Sequence, residues 1–259
     1  MNSGSISAAL AVFSVIVVFG LLRRWTPYKP PVDAYLPPYE ELIRKFLKWE
    51  QLSLLPLFIF SALLAIAWKR LLIFFAGLSY ASLGDSVFLF TPSPDYWWLP
   101  SMFLGIITAI IPLTLLFKFL LGGDYDLYVV YGNLRVGFDS VRMVRLIAII
   151  VGPVALVFSL LAMNCYTKFS EDGIAINRFL SVGEIRYSYS RISAIKSVRY
   201  FKAPNGDIKE RPYFAIEFND GENWTTGDGL RDPDPDLDRR LIEFVYGRSG
   251  KRPLEVEME

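Results

Sequence analysis

The chain has 259 residues, of which 53% are hydrophobic and 15% aromatic, and its formal net charge is +1. A mean hydropathy of +0.35 is too high for an ordinary soluble domain and indicates a membrane protein with a soluble part. Histidine is absent and Cys165 is the single cysteine, which excludes Ser-His-Asp and Cys-His catalysis, His-ligated zinc and CxxC redox chemistry. No cofactor is expected.

Residues 1–163 are predicted to form a transmembrane helical region. Its apolar stretches reach the ~20 residues that a helix needs to cross a bilayer. About five spans are predicted, at residues 5–22, 52–67, 71–90, 99–121 and 146–163. Arg23 and Arg24 directly follow the first span, which favours a retained helix with its N-terminus outside over a cleaved signal peptide. An amphipathic helix beginning at Tyr39 is predicted to lead into the second span.

The stretch 52–90 is interpreted as a helical hairpin because it is about twice as long as one crossing requires. Trp68, Lys69 and Arg70 would form its turn. Asp85 would then be a carboxylate within a span, and it is a candidate intramembrane polar site, with a polar interhelical contact as the alternative. Lys118 is the second such candidate, although its amine can also reach the headgroups.

The distribution of positive charge bears on the side of the membrane that each connection faces. With five spans and the N-terminus outside, the inner connections carry eight Lys or Arg residues and the outer ones five, or six when Lys118 is included. This count favours a multi-pass protein of the cell membrane, plasma or inner, whose C-terminal domain is cytoplasmic. If 52–90 crossed only once, the domain would lie outside.

Residues 164–250 are predicted to form a small antiparallel β domain with a C-terminal helix, and 251–259 to form a tail. Strands are expected at 166–169 and 174–179, joined by the turn at 171–173. Alternating or β-branched runs predict further strands at 184–189, 196–202, 213–218 and 223–226. Asp234 is expected to cap the final helix and Gly247 to end it. This order predicts a bent sheet or partial barrel closed by one helix.

Three segments of this domain carry a resemblance to a known family. They are 169–176 (Phe-Ser-Glu-Asp-Gly-Ile-Ala-Ile), 187–195 (Tyr-Ser-Tyr-Ser-Arg-Ile-Ser-Ala-Ile) and 216–221 (Ile-Glu-Phe-Asn-Asp-Gly). Over residues 164–250 the chain resembles bacterial pleckstrin-homology-like (PH-like) domains attached to transmembrane helices. The resemblance implies a PH-like partial barrel on the cytoplasmic side and no shared catalytic residues.

The β domain carries opposite charges in its two halves. Residues 186–211 have a local charge of +5 and residues 217–243 a charge of −6. Five basic residues are candidate contacts for a lipid headgroup or a partner: Arg186, Arg191, Lys196, Arg199 and Lys202. A solvated strand edge is the alternative, because alternation spreads these residues over both faces. Nucleic-acid binding is not expected, since residues 164–259 have 15 basic and 17 acidic residues.

These observations lead to three functional hypotheses. The favoured one is a membrane-anchored, non-enzymatic module that holds a domain binding a protein partner or a lipid headgroup at the bilayer surface. The alternative is a small transporter or lipid-handling protein that uses Asp85, Lys118 and the helix break at residues 152–153. A membrane enzyme acting through Asp124, Asp126 and Asp139 is the least favoured, because no sequence feature positions these carboxylates as an acid/base pair.

Overall fold

A computed structural model describes residues 20, 24–30, 36–181, 183–202, 207–226 and 234–258, without the side chains of residues 201, 202, 209, 211 and 258. Its helices are α1 (Tyr39–Ala81), α2 (Trp98–Leu121), α3 (Tyr125–Val136), α4 (Ser140–Met163) and α5 (Pro235–Ser249). The first predicted span, 5–22, lies outside the described residues except for Gly20. The predicted amphipathic helix begins at Tyr39, as its periodicity indicated.

Three helices in the described part of the chain are long and apolar enough to cross a membrane. They are α1, the helical stretch Pro94–Val136 that contains α2 and α3, and α4. Only 11%, 22% and 17% of their apolar windows are buried, so most of this surface is free to contact lipid. The prediction of a multi-helix membrane protein is therefore supported, with three candidate spans among the described residues.

The predicted hairpin at 52–90 is wrong. The helix α1 runs without interruption through Trp68, Lys69 and Arg70, because these residues are compatible with a helix and none of them is a turn former. The helix ends only at Ala81, shortly before Gly84, whose φ of 74° suits a turn. The predicted span 71–90 therefore contains the end of α1, a turn and a short strand.

The chain divides into two compact units, and the first contains residues 1–70 and 99–157. In this unit Leu42 and Phe46 on the first turns of α1 are buried with Tyr131 of α3. Leu42 and Phe46 lie on the buried face of the amphipathic helix that the sequence predicts from Tyr39. Gly105 of α2 approaches α1 so closely that a Cβ atom would lie 2.7 Å from the backbone nitrogen of Ala65. A larger residue would therefore separate the two helices.

The second unit contains residues 71–98 and 158–259, and its described strands form two four-stranded sheets. The first sheet has the order β1-β2-β3-β4 and is antiparallel, with β1 (Phe88–Phe90), β2 (Tyr166–Phe169), β3 (Ile174–Asn177) and β4 (Ile185–Tyr187). The second has the order β7-β6-β5-β8, with β5 (Ile192–Lys202), β6 (Ile208–Phe218), β7 (Asn223–Thr225) and β8 (Pro253–Met258). The described strands do not form a closed barrel.

The first strand comes from the connection between two helices rather than from the C-terminal part of the chain. Phe88 of β1 pairs with Phe169 of β2, and Phe90 pairs with Thr167. The ring of Phe90 joins the core of the β domain and is 8% exposed. The predicted strand 166–169 has the correct bounds, but its neighbour β1 lies where the sequence predicts the membrane span 71–90.

The C-terminal helix closes the core as expected, with two differences at its end. Asp234 accepts a hydrogen bond from Leu237 N, and Leu241, Ile242 and Val245 are buried against the sheets. The helix continues past Gly247 to Ser249 and is capped by Gly250, whose φ is 69°. The predicted tail 251–259 instead contains β8, which pairs in parallel with β5.

Candidate functional site

A cavity of about 410 Å³ lies in the second unit, where the chain after β1 meets β2, β3 and the turn between β6 and β7. We call it the Trp224 cavity. Its walls combine aromatic rings with polar groups and include Phe90, Thr167, Asn177, Arg178, Phe179 and Trp224. A concave site of this volume and mixed lining is typical of small-ligand sites and of pockets that receive one side chain of a partner.

The aromatic wall is fixed by contacts between the two sheets. The indole Nε1 of Trp224 in β7 donates a hydrogen bond to Thr167 Oγ1 in β2 at 3.0 Å. The Trp224 ring centroid lies 5.4 Å from that of Phe90 and 5.0 Å from that of Phe169. Since the buried N–H has a partner and the ring is packed on its neighbours, the orientation of this wall is set before any ligand binds.

The polar wall consists of a buried amide and an exposed guanidinium. The Asn177 side chain is 5% exposed, and its Oδ1 accepts a hydrogen bond from Ser181 Oγ at 2.5 Å. Arg178 Nη2 lies 2.5 Å from Glu222 Oε2 and donates to the carbonyl of Asn223 at 3.1 Å. The side chains of Arg178 and Glu222 are about half exposed, so an acidic ligand can exchange with Glu222 at little energetic cost.

This arrangement suits binding through an apolar or aromatic group with an acidic end. The flat rings of Phe90 and Trp224 offer the apolar surface, and Arg178 at the rim offers a planar bidentate donor. The described ranges contain no group of three or more His, Cys, Asp or Glu side chains placed to hold a metal ion. The side chains of the cavity can bind a ligand by packing and by hydrogen bonds.

An aromatic cluster connects the cavity wall to the end of α4. Phe179, which lines the cavity, lies 5.0 Å from Phe158 of α4 and 6.2 Å from Tyr96 between ring centroids. Tyr96 in turn stacks on Phe158 at 5.5 Å. The cavity wall therefore packs on Phe158, within the part of α4 that belongs to the second unit.

Burial and hydrogen bonds among Tyr166, Glu184 and Arg186 shift two pKa values in the β domain. Burial, reinforced by its hydrogen bond to Glu184 at 2.6 Å, raises the pKa of Tyr166 to about 12. Desolvation acts to raise the pKa of Glu184, but hydrogen bonds from Tyr166 and Arg186 outweigh it and hold that pKa below its ordinary value. Glu184 is thus kept ionised, and it links β2 to the segment that leads into β4.

The five predicted basic contacts lie on different elements, and the structure gives most of them a local partner. Arg186 in β4 pairs with Glu184, whereas Lys196 and Arg199 in β5 pair with Glu217 at 2.6 Å and with Glu210 at 3.0 Å. Arg191 lies over the Tyr187 ring at 5.9 Å. Lys202 ends β5, and its side chain lies outside the described part. This pairing favours the solvated-edge alternative, and a headgroup contact stays a prediction.

The predicted intramembrane polar residues, Asp85 and Lys118, lie in different units. Asp85 follows the end of α1 and lies in a connection, so the prediction of a carboxylate within a span is corrected. It borders a polar cavity of about 340 Å³ beside Lys168, whose Nζ donates to the carbonyl of Leu83 at 2.5 Å. Lys118 lies in the last turn of α2 and lines a cavity of the first unit.

Sequence reasoning did not identify the residues that form the Trp224 cavity. Asn177 ends the short strand β3, Arg178 follows it, and Trp224 comes after a turn, so no motif distinguishes these three residues from ordinary residues at strand ends. The cavity requires β1, which supplies Phe90, and the sequence predicts a membrane span for that segment.

A scan against protein-family models, a search of curated proteins and a search of solved structures each give no match.

Proposed function

We propose that the chain is a membrane-anchored, non-enzymatic binding module whose β domain holds a protein partner or a lipid headgroup at the bilayer surface. The observation that carries the proposal is the pairing of β1 with β2, because it makes the connection between two candidate membrane helices part of the binding domain. Only residues 164 and 165 separate the end of α4 from β2. The domain is thus held at the membrane by two points of the chain.

The strand series and the C-terminal helix support the PH-like interpretation of this domain. Two antiparallel hairpins and the β5–β6 pair precede a single helix whose Leu241 and Val245 are buried in the shared core. Two features go beyond that plan, namely the strand β1 contributed from between the helices and the strand β8 after the final helix. The domain is proposed as a PH-like arrangement with an added strand on each sheet.

We also infer that the β domain lies on the non-cytoplasmic side, opposite to the placement that five spans gave. With α1, α2 and α4 each crossing once, residues before α1 and residues 122–139 share one side, and residues 82–97 share the other side with the β domain. The first side and its helix ends carry ten Lys or Arg residues, namely 23, 24, 29, 44, 45, 48, 118, 135, 142 and 145. Residues 82–97 carry none, and the second side has four when Lys69 and Arg70 of α1 and Lys168 and Arg178 of the β domain are counted, so the positive-inside rule directs the β domain outward.

The transporter alternative is weaker than the sequence suggested. It required Asp85, Lys118 and the break at residues 152–153 to lie along one polar path through the bundle. Asp85 lies beyond the end of α1, and α4 continues as a helix through Gly152 and Pro153. We retain Lys118 as a candidate for lipid contact alone.

Site-specific photo-crosslinking of the full chain in its native membrane tests the binding proposal. A benzophenone amino acid replacing Asn223, which is exposed at the cavity, should give a discrete adduct, whereas the same group replacing the exposed Arg240 on α5 should not. Adding Arg178→Ala should reduce the Asn223 adduct about tenfold, the effect of losing a contact worth ~1.4 kcal/mol.

Mass analysis of the adduct distinguishes a protein from a lipid. Equal adducts at both positions, or an Asn223 adduct that Arg178→Ala leaves unchanged, would show that the Trp224 cavity is not the binding site. The exposed Arg178–Glu222 pair contributes little to folding, so the variant should remain folded.

A further inference from the structure

A second cavity, of about 540 Å³, lies wholly within the first unit, among α1, α2, α3 and the start of α4. We call it the Lys118 cavity. One part of its lining is apolar and comes from three helices, with Ile110 of α2, Val129 of α3 and Val144 of α4. The other part carries charged and phenolic groups: Glu50, Lys118, Tyr125, Asp126, Tyr131 and Arg135. The cavity is therefore amphipathic.

The charges of the Lys118 cavity divide into an internal pair and two separate groups. Arg135 pairs with Glu50, and Tyr131 donates to the same carboxylate at 2.8 Å, so these charges neutralise each other. Lys118 is exposed, and its Nζ lies 5.5 Å from the Tyr125 ring centroid. Neither Lys118 nor Asp126 forms an ion pair with a residue in the described ranges. One cation and one carboxylate thus remain available on a lining whose net charge is zero.

The surroundings of the cavity point to a membrane lipid as its occupant. Lys118 lies in the last turn of α2, whose neighbouring Leu115 and Phe119 are 63% and 86% exposed on an apolar helix. Such a surface faces acyl chains, and a lysine near a helix end lies at headgroup depth. A polar cavity that borders this surface can receive a headgroup while the attached chains remain in the bilayer.

We propose that the Lys118 cavity binds a phospholipid with a phosphoethanolamine headgroup. Lys118 contacts the phosphate, and the Asp126 carboxylate accepts hydrogen bonds from the primary ammonium group. A single cation and a single carboxylate match a zwitterion better than an anionic headgroup, which would leave Asp126 facing negative charge. Choline matches less well, because its quaternary nitrogen has no N–H to donate to Asp126.

Native mass spectrometry of the detergent-solubilised full chain tests this assignment. The protein is incubated with equimolar phosphatidylethanolamine, phosphatidylcholine and phosphatidylglycerol of identical acyl chains, and retained lipid is counted. We expect one phosphatidylethanolamine per chain, enriched over each of the other two. Lys118→Ala should weaken retention of this lipid about tenfold, whereas Lys118→Arg should preserve it. Asp126→Asn should abolish the preference over phosphatidylcholine.

A neighbouring ion pair supplies matched controls. Lys45 and Asp124 lie 2.7 Å apart outside the cavity lining, so Lys45→Ala and Asp124→Asn make the same charge changes without altering the site. Both control variants should retain lipid as the unmodified chain does. Preferential retention of phosphatidylglycerol, no enrichment of phosphatidylethanolamine, or equal losses in the site and control variants would overturn the proposal. None of these outcomes depends on the β domain binding a partner.

Discussion

At the scale of single residues, polar contacts, one of them buried and others partly or fully exposed, join parts of the β domain that the chain does not connect directly. Trp224 and Thr167 belong to different sheets, and their hydrogen bond fixes one wall of the Trp224 cavity. Glu184 joins β2 to the segment before β4 through Tyr166 and Arg186. Each contact satisfies a polar group that would be costly to leave without a partner in a protein interior.

The lowered pKa of Glu184 predicts an acid-sensitive contribution to stability. A carboxyl group whose pKa is lower in the folded state stabilises the fold above its unfolded pKa, which is 4.5 here, and this stabilisation is lost as the pH falls through the folded value. Glu184→Gln should lower the unfolding midpoint of the full chain by about 2–4 °C at pH 7, as expected for a loss of ~1 kcal/mol.

The measurement is tryptophan fluorescence during thermal unfolding in detergent at several pH values. The difference between the original chain and the Glu184→Gln variant should shrink as the pH falls below 4.5 and disappear once the pH has passed the lowered pKa of the native carboxyl group. Glu243→Gln on the exposed face of α5 serves as the control and should leave the midpoint unchanged. A difference that stays constant down to the acid limit would contradict the role of the Glu184 charge.

At the scale of elements, the strand β1 makes the connection between two helices part of the β domain. It is three residues long and lies between two candidate membrane helices, yet it forms an edge of the first sheet. Phe90 packs on Phe169 and Trp224 with centroid distances of 5.7 and 5.4 Å. Phe88 approaches Phe244 of α5 at 5.7 Å. A segment that is apolar enough to resemble part of a span thus belongs to the core of the β domain.

Truncation of Phe90 distinguishes a core strand from a membrane span. Phe90→Ala should destabilise the β domain by about 3 kcal/mol, because it opens a cavity beside Phe169 and Trp224. Val87 directly precedes β1 and is 45% exposed, so Val87→Ala should cost less than about 0.5 kcal/mol. Thermal unfolding of both variants in detergent is the measurement. Equally small effects would place Phe90 at a lipid-facing surface instead.

The elements that sequence reasoning identified are those with local signals. The strand 166–169, the cap at Asp234 and the helix start at Tyr39 follow from turn residues, capping residues and apolar periodicity, and the structure has them at those positions. The length of the apolar stretch 52–90 led to a wrong prediction of two membrane spans. The stretch contains part of a helix and a strand buried in protein, and both are apolar. The Trp224 and Lys118 cavities arise from contacts between distant segments, which a single sequence does not specify.

At the scale of the whole molecule, the uninterrupted α1 changes the membrane topology that we propose. With α1 as one crossing, the connections rich in Lys and Arg share one side, and the β domain takes the other. The pairing of β1 with β2 is consistent with this assignment, because the two crossings of α2 and α4 return the chain to the side on which β1 lies.

Cysteine labelling in intact cells tests the inferred topology. In a Cys165→Ala background, Asp220→Cys in the exposed turn between β6 and β7 should react with a membrane-impermeant maleimide. Lys45→Cys, on the first turns of α1, should react only after the membrane is permeabilised, since the proposed topology places it on the cytoplasmic side. The reverse pattern would show that the β domain is cytoplasmic and that the whole arrangement is inverted. Protection of both positions would show that the β domain is cytoplasmic and that one of the described helices does not cross.

The position of β1 in the chain also constrains the order in which the protein can assemble. During synthesis β1 emerges before α2 and α4, whereas its partner β2 follows both. The first sheet, and with it the Trp224 cavity, therefore cannot be completed until the last candidate membrane helix has been made. A chain interrupted before that point would present β1 as an isolated apolar edge, so a finished sheet indicates that the membrane region is complete.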